Sequence, residues 1–134
     1  MADIPVPVMK ERIKESVIRW ADKAEAAAKR AEDREKEADS DLLEHVLTSP
    51  GIDAAVVVKG ATAQGVFRLH ATEARTQANH AKQAARDAKT DLGAVFPGRL
   101  LGHAIRCARA CEEAQQHAAA AEEHPLPSEI IVQG

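Results

Sequence analysis

The chain has 134 residues and a formal net charge of −3, and 45% of its residues are hydrophobic while only 2% are aromatic. This length is typical of a single domain. The slight acidic excess argues against nucleic acid as the main partner, because phosphate-binding proteins normally present a basic face. The sequence has no run of roughly 18 apolar residues, so we expect neither a transmembrane helix nor a membrane partner.

The N-terminal segment and the cysteines bear on the compartment. Residues 1–5 lack the basic and then apolar stretches of a signal peptide, and we therefore expect a cytoplasmic protein. The two cysteines, Cys107 and Cys111, are too few for a disulfide framework of the kind that stabilises small secreted domains.

The first predicted helix covers about residues 8–47. Apolar residues step by three and four positions from Ile13 to Val46, as they do on one face of an α-helix. One charged interruption falls at Arg34 and Glu35. The opposite face carries charges of both signs, which is typical of a solvated helix surface with ion pairs one turn apart.

The second and third predicted helices cover about residues 50–93 and 97–123. Ser49 can cap the second helix, and Pro50 is suited to its first position. The segment Val56–Val58 is β-branched, as in a strand, but no second strand pattern lies nearby. We therefore favour a buried helical turn for this segment.

These patterns predict an all-α fold, an antiparallel bundle of three main alanine-rich helices with coiled-coil-like packing. The bundle is expected over residues 1–124, and an extended C-terminal tail over 125–134. Short connections make neighbouring helices antiparallel. Alanine side chains allow a helix spacing at or below the usual value of roughly 8–10 Å, but they bury little apolar area, so the core is thin.

Two lines of polar residues, one on the second helix and one on the third, are spaced for one helical face. Imidazole, carboxylate and thiolate groups at such spacings suit a divalent metal, and thiolates beside an imidazole suit zinc or copper. The candidate metal ligands are His70, Glu73, His80, His103, Cys107 and Cys111. The alternative is structural: the polar residues fix the bundle register and the cysteines fill the alanine stripe.

No stretch of the sequence carries a recognisable catalytic motif. The segment from Gly60 to Gly65 lacks the lysine that a phosphate-binding loop requires, and there is no serine-centred elbow of the hydrolase type. A basic side of the second helix could attract acidic partners, but the acidic first helix could equally neutralise it. We therefore predict that the protein is not an enzyme and, apart from the metal alternative, has no cofactor.

The tail contains one apolar cluster, Ile130, Ile131 and Val132, which is a candidate partner-binding segment. It could add a strand to a partner's sheet, or it could fold back over the bundle or be disordered. Helices of unequal length also leave apolar surface uncovered. We therefore expect a structural or protein-interaction bundle that forms a homo-oligomer or docks on a larger assembly, with a metal-binding bundle as the alternative.

Overall fold

A computed structural model describes residues 4–51, 53–93 and 98–133. The prediction of an all-α bundle is confirmed, with three long helices that pack against one another and a short fourth helix. In chain order these are α1 (Val6–Thr48), α2 (Ala54–Thr90), α3 (Gly98–Glu123) and α4 (Pro127–Gln133), with a 3-10 turn at Asp91–Gly93. Helix α1 is continuous through Arg34 and Glu35.

The long helices run up, down and up. Asp39 of α1 contacts Gln64 of α2, while Glu32 contacts Arg75, so these two helices are antiparallel. Helices α2 and α3 are also antiparallel, which leaves α1 and α3 parallel. Arg34 already reaches the last turn of α3, so the final turns of α1 extend beyond α3.

The short helix α4 continues along the bundle where α3 ends. The carboxylate of Asp41 accepts hydrogen bonds from the backbone N–H and the hydroxyl of Ser128, at 2.8 and 2.7 Å. Pro127 begins α4 and is completely buried. Ile131 lies against Gly60 of α2. Helix α4 therefore packs against the end of α1 and the start of α2. It continues there as the third helix of the bundle, in the position that α3 has elsewhere.

The prediction of an extended tail is wrong for Pro127–Gln133, which is helical. The physical reason is that this segment has a docking place on α1 and α2. Ile130 and Ile131 become half-buried there, whereas Val132 remains 77% exposed. These three candidate partner-binding residues are thus presented on a helix and not as a strand.

The start of α2 differs from the prediction in position but not in type. The helix begins at Ala54 and not at Pro50, because the carboxylate of Asp53 accepts the N–H of Ala55 at 3.1 Å and caps it. The prediction that Val56–Val58 form a helix and not a strand is therefore confirmed. The expected burial is wrong, since Val57 and Val58 are 41% and 64% exposed.

The core consists almost entirely of alanine. Among the described residues, the buried apolar side chains other than alanine are Val17, Phe67, Leu100, Cys107, Cys111 and Pro127. An alanine side chain ends at Cβ, so facing helices can approach until their backbones nearly touch. Polar side chains that flank these alanine faces therefore lie within hydrogen-bonding distance of the neighbouring helix.

We expect Gly60→Leu to destabilise the protein by about 1–3 kcal/mol, because overpacking a filled site displaces its neighbours. A Cβ at Gly60 would lie 3.3 Å from Cδ1 of Ile131 and closer still to a δ-methyl of Leu42, so the side chain of Leu42 must move and that of Ile131 must yield. Gly65→Leu is the matched control on the same helix, since nothing lies within 4 Å of its Cβ position. Urea unfolding of both variants measures the difference; equal stability would contradict the close packing of Leu42 and Ile131 against Gly60.

Candidate functional site

His70 of α2 and His117 of α3 face each other across the helix interface, and we call them the histidine pair. Their Nδ1 atoms are 3.1 Å apart, and their ring centres are 5.4 Å apart with the planes tilted by 44°. Both side chains are half-buried. At this separation one ring donates its N–H to the lone pair of the other, so the accepting ring is neutral.

The surroundings of His70 favour its neutral form. Burial lowers the pKa of His70 below its ordinary value of 6.5, and the neighbouring His117 and His124 lower it further. A neutral imidazole keeps one nitrogen lone pair, which is the form that binds metal ions or accepts a proton.

Beside the histidine pair, Arg34 of α1 contacts both Phe67 of α2 and the C-terminal end of α3. Its guanidinium carbon lies 5.5 Å from the centre of the buried Phe67 ring. It donates hydrogen bonds to the backbone oxygens of Ala121 and His124, at 3.1 and 2.8 Å. The carbonyl groups at the C-terminal end of a helix have no N–H partner within that helix. The ring of His124 packs edge-on against Phe67, 5.0 Å away. Arg34, which interrupts the apolar stripe of α1, therefore caps the C-terminal end of α3.

His103 uses both of its ring nitrogens in protein contacts. An arginine can only donate, so the contact with Arg106 makes Nδ1 the acceptor and places the proton on Nε2. Nε2 then donates to Asp91 at 2.6 Å. His103 thus ties the start of α3 to the turn after α2, and neither nitrogen has a free lone pair for a metal ion.

The two cysteines are enclosed by the core. The thiol of Cys107 lies 3.4 Å from the backbone oxygen of Ala81 and 3.5 Å from that of Val17. Burial raises the pKa of Cys107 to about 11, and it also raises the pKa of Cys111. Because the thiolate is the form that ligates metals and attacks electrophiles, these protonated thiols favour the structural interpretation.

The remaining candidate ligands lie on the outer side of the α2–α3 interface. Glu73 is half-buried and His80 is exposed. His80 borders an open groove of about 330 Å³, together with Gln77, Arg109 and Glu113. In residues 4–51, 53–93 and 98–133, no three His, Cys, Asp or Glu side chains are grouped closely enough to hold a metal ion.

The two predicted lines therefore do not converge on one centre. The antiparallel register places His70 opposite His117, near the end of α3, while His103 lies near its start. Sequence reasoning missed His117 because it stands alone beside the alanine stripe of α3. Its only sequence signal is that it directly precedes the run of four alanines at 118–121.

Charged side chains bridge α1 and α2. Arg75 binds Glu32 through two nitrogens, Nε at 3.1 Å and Nη2 at 2.7 Å, and its Nη1 binds Glu25. Lys82 binds the same Glu25 at 3.0 Å. These contacts, together with that of Arg68 and Glu35, support the interpretation that the acidic helix neutralises the basic side of α2.

Several exposed apolar side chains lie where α1 turns into α2, beside α4, and we call this region the hairpin end. Among the described residues, the four most exposed large apolar side chains all belong to it. They are Val132 at 77%, Leu47 at 73%, Val58 at 64% and Leu43 at 60%. Val57, 41% exposed, adds to the same end.

Comparison with protein-family models, with curated proteins and with solved structures found no match to this chain. Within the part of the chain that the structure describes, no helix is both long and apolar enough to cross a membrane.

The bridge formed by Arg75 predicts a pH dependence of stability. Hydrogen bonds from Lys82 and from Arg75 lower the pKa of Glu25 and Glu32, respectively, below the ordinary 4.5. The unfolded chain therefore takes up protons first as the pH falls, so the stabilisation is present above pH 4.5 and is lost through the lower, folded-state pKa values. Arg75→Gln should cost about 1 kcal/mol at pH 7 and flatten this acid dependence.

Arg30→Gln is the matched control, because the ion pair of Arg30 and Glu122 is nearly half exposed on both sides. Exposed pairs contribute little, so we expect a loss below roughly 0.5 kcal/mol. Urea unfolding at pH 7 and at pH 4 measures both variants. An Arg75→Gln variant with the same acid dependence as the unmodified protein would contradict the assignment.

Proposed function

We propose that this chain is a non-enzymatic interaction protein that self-associates through the hairpin end. The observation that carries the proposal is the concentration of the most exposed apolar side chains at this one end. A large apolar side chain gains roughly 1.5–3 kcal/mol when it is fully buried. Contiguous apolar surface on a protein otherwise rich in charge is typical of a protein interface.

The positions of the exposed apolar residues at the hairpin end favour a protein interface over an incompletely packed core. Gly60, close to Val57 and Val58 along α2, is buried under Leu42 and Ile131, so the inward side of α2 is already covered. Val58, two residues before Gly60, is 64% exposed and therefore lies off that covered side. Only Lys59 is charged between Ala54 and Gln64, so the first turns of α2 offer a surface of low polarity.

Charge at the rim favours a second copy of this chain as the partner. Exposed Glu44 and Asp53 are acidic, and Lys59 on the same end is basic. In a twofold dimer the same patch meets itself, so a lysine of each copy can face an acid of the other. A rim with both signs is suited to such self-pairing, whereas a rim of one sign would repel its own copy.

Leu47→Glu tests the proposal. A carboxylate at this position places a charge in the apolar contact, so we expect at least about a tenfold weaker association. The measurement is sedimentation equilibrium of the untagged protein over a range of concentrations, with light scattering after size exclusion as a second measurement. The unmodified chain is expected as a dimer.

Leu101→Glu is the matched control, since Leu101 is 53% exposed but lies near the start of α3, at the opposite end of the bundle. This variant should associate like the unmodified chain. A protein that stays monomeric at all concentrations, or a dimer weakened equally by both substitutions, would refute self-association through the hairpin end.

A further inference from the structure

The histidine pair contributes neither to the alanine core nor to the hairpin end. Two imidazole nitrogens from different helices lie 3.1 Å apart in a half-buried position. The helices that carry them are fixed against each other by alanine contacts along both, including the buried Ala71, Ala74, Ala114 and Ala118. The two nitrogens are therefore held close by the bundle as a whole.

Their separation matches that of two ligands on one metal ion. Zinc binds imidazole nitrogen at roughly 2.0–2.1 Å, and two nitrogens 3.1 Å apart at that distance subtend an angle of about 100° at the metal. This angle lies between the octahedral and tetrahedral values. An ion to one side of the Nδ1–Nδ1 line would replace the shared proton after a modest rotation of each ring.

We propose that His70 and His117 chelate a divalent transition-metal ion, of the class that prefers imidazole nitrogen, through their two Nδ1 atoms. Water molecules complete the coordination shell, because the described residues bring no third His, Cys, Asp or Glu side chain to the pair. Zinc, nickel and copper ions belong to this class, and copper is expected to bind most tightly. Two ligands and an open shell make this a site of moderate affinity.

The imidazoles at the two ends of α3, His103 and His124, have protein contacts of their own. Nδ1 of His124 lies 3.0 Å from the backbone oxygen of Pro125 and therefore carries a proton that it donates there. His103 has no free lone pair, since it bonds Asp91 and Arg106.

Metal binding at this pair would link α2 to α3. Only the folded chain brings the two nitrogens together, so an ion that binds there stabilises the folded state and raises the melting temperature. The effect grows with the concentration of free metal.

The test is a titration of untagged, metal-free protein with zinc chloride at pH 7.5, followed by calorimetry. We expect one ion per chain, and a weakening of at least about tenfold in both His70→Gln and His117→Gln. Side-chain ¹⁵N NMR gives a readout independent of stability, because zinc should shift the Nδ1 resonances of His70 and His117. Circular dichroism confirms that each variant remains helical.

Two matched controls separate this pair from the other candidate ligands. His80→Gln removes an exposed histidine on the same helix, and Cys111→Ser removes a thiol of α3; both should bind zinc like the unmodified chain. The proposal is overturned if zinc does not bind at millimolar concentration or if binding survives His117→Gln. It is also overturned if Cys111→Ser abolishes binding while the histidine variants retain it.

Discussion

Contact between alanine faces determines how closely the three long helices lie, and the other interactions of the bundle depend on that closeness. Core positions such as Ala24, Ala74 and Ala114 are completely buried although their side chains end at Cβ. Backbones can be this close only where no longer side chain intervenes. Polar groups beside the alanine faces then reach the neighbouring helix directly, as His70 reaches His117.

The same closeness limits what the core contributes. A buried alanine removes little apolar surface from water, so each core position stabilises the fold less than a leucine would. Charged groups add to this thin core at its margins. Arg75 joins α2 to two glutamates of α1, and Arg34 caps α3 while it lies over Phe67. Such contacts also fix the register, which uniform alanine faces specify weakly.

The hairpin end and the histidine pair follow from different parts of this arrangement. Because α3 is shorter than α1, the last turns of α1 and the first turns of α2 need another cover, and α4 supplies part of it. Leu43 and Leu47 lie beyond that cover. The histidine pair lies within the three-helix part, where α2 and α3 are held together. Self-association and metal binding can therefore be tested separately.

The sequence was sufficient for the helices and the all-α fold, because the spacing of apolar residues is a local property of each helix. It was not sufficient for contacts that depend on register between helices. The spacing of polar residues on α2 predicts His70 as a ligand, but its partner His117 follows only from the position of α3 along α2. In the sequence, Arg34 is only a charged interruption of the apolar stripe of α1, because its role as a cap depends on where another helix ends.

Helix α4 illustrates a second limit. The prolines around the tail and its short apolar run predict an extended segment. Its helical form depends on Asp41 and Gly60, which are distant in sequence and offer a bond and a space to this segment. Local propensity could not reveal a docking place formed by two other helices.

The most direct test of the central claim is the stability of Ala74→Leu beside that of Ala26→Leu, measured by urea unfolding. Ala74 is completely buried between helices, whereas Ala26 is exposed on α1. If backbones are held close by alanine contact, Ala74→Leu should lose about 1–3 kcal/mol through overpacking, and Ala26→Leu should change by less than roughly 0.5 kcal/mol. An Ala74→Leu variant as stable as the unmodified chain, or more stable, would contradict close packing of alanine faces.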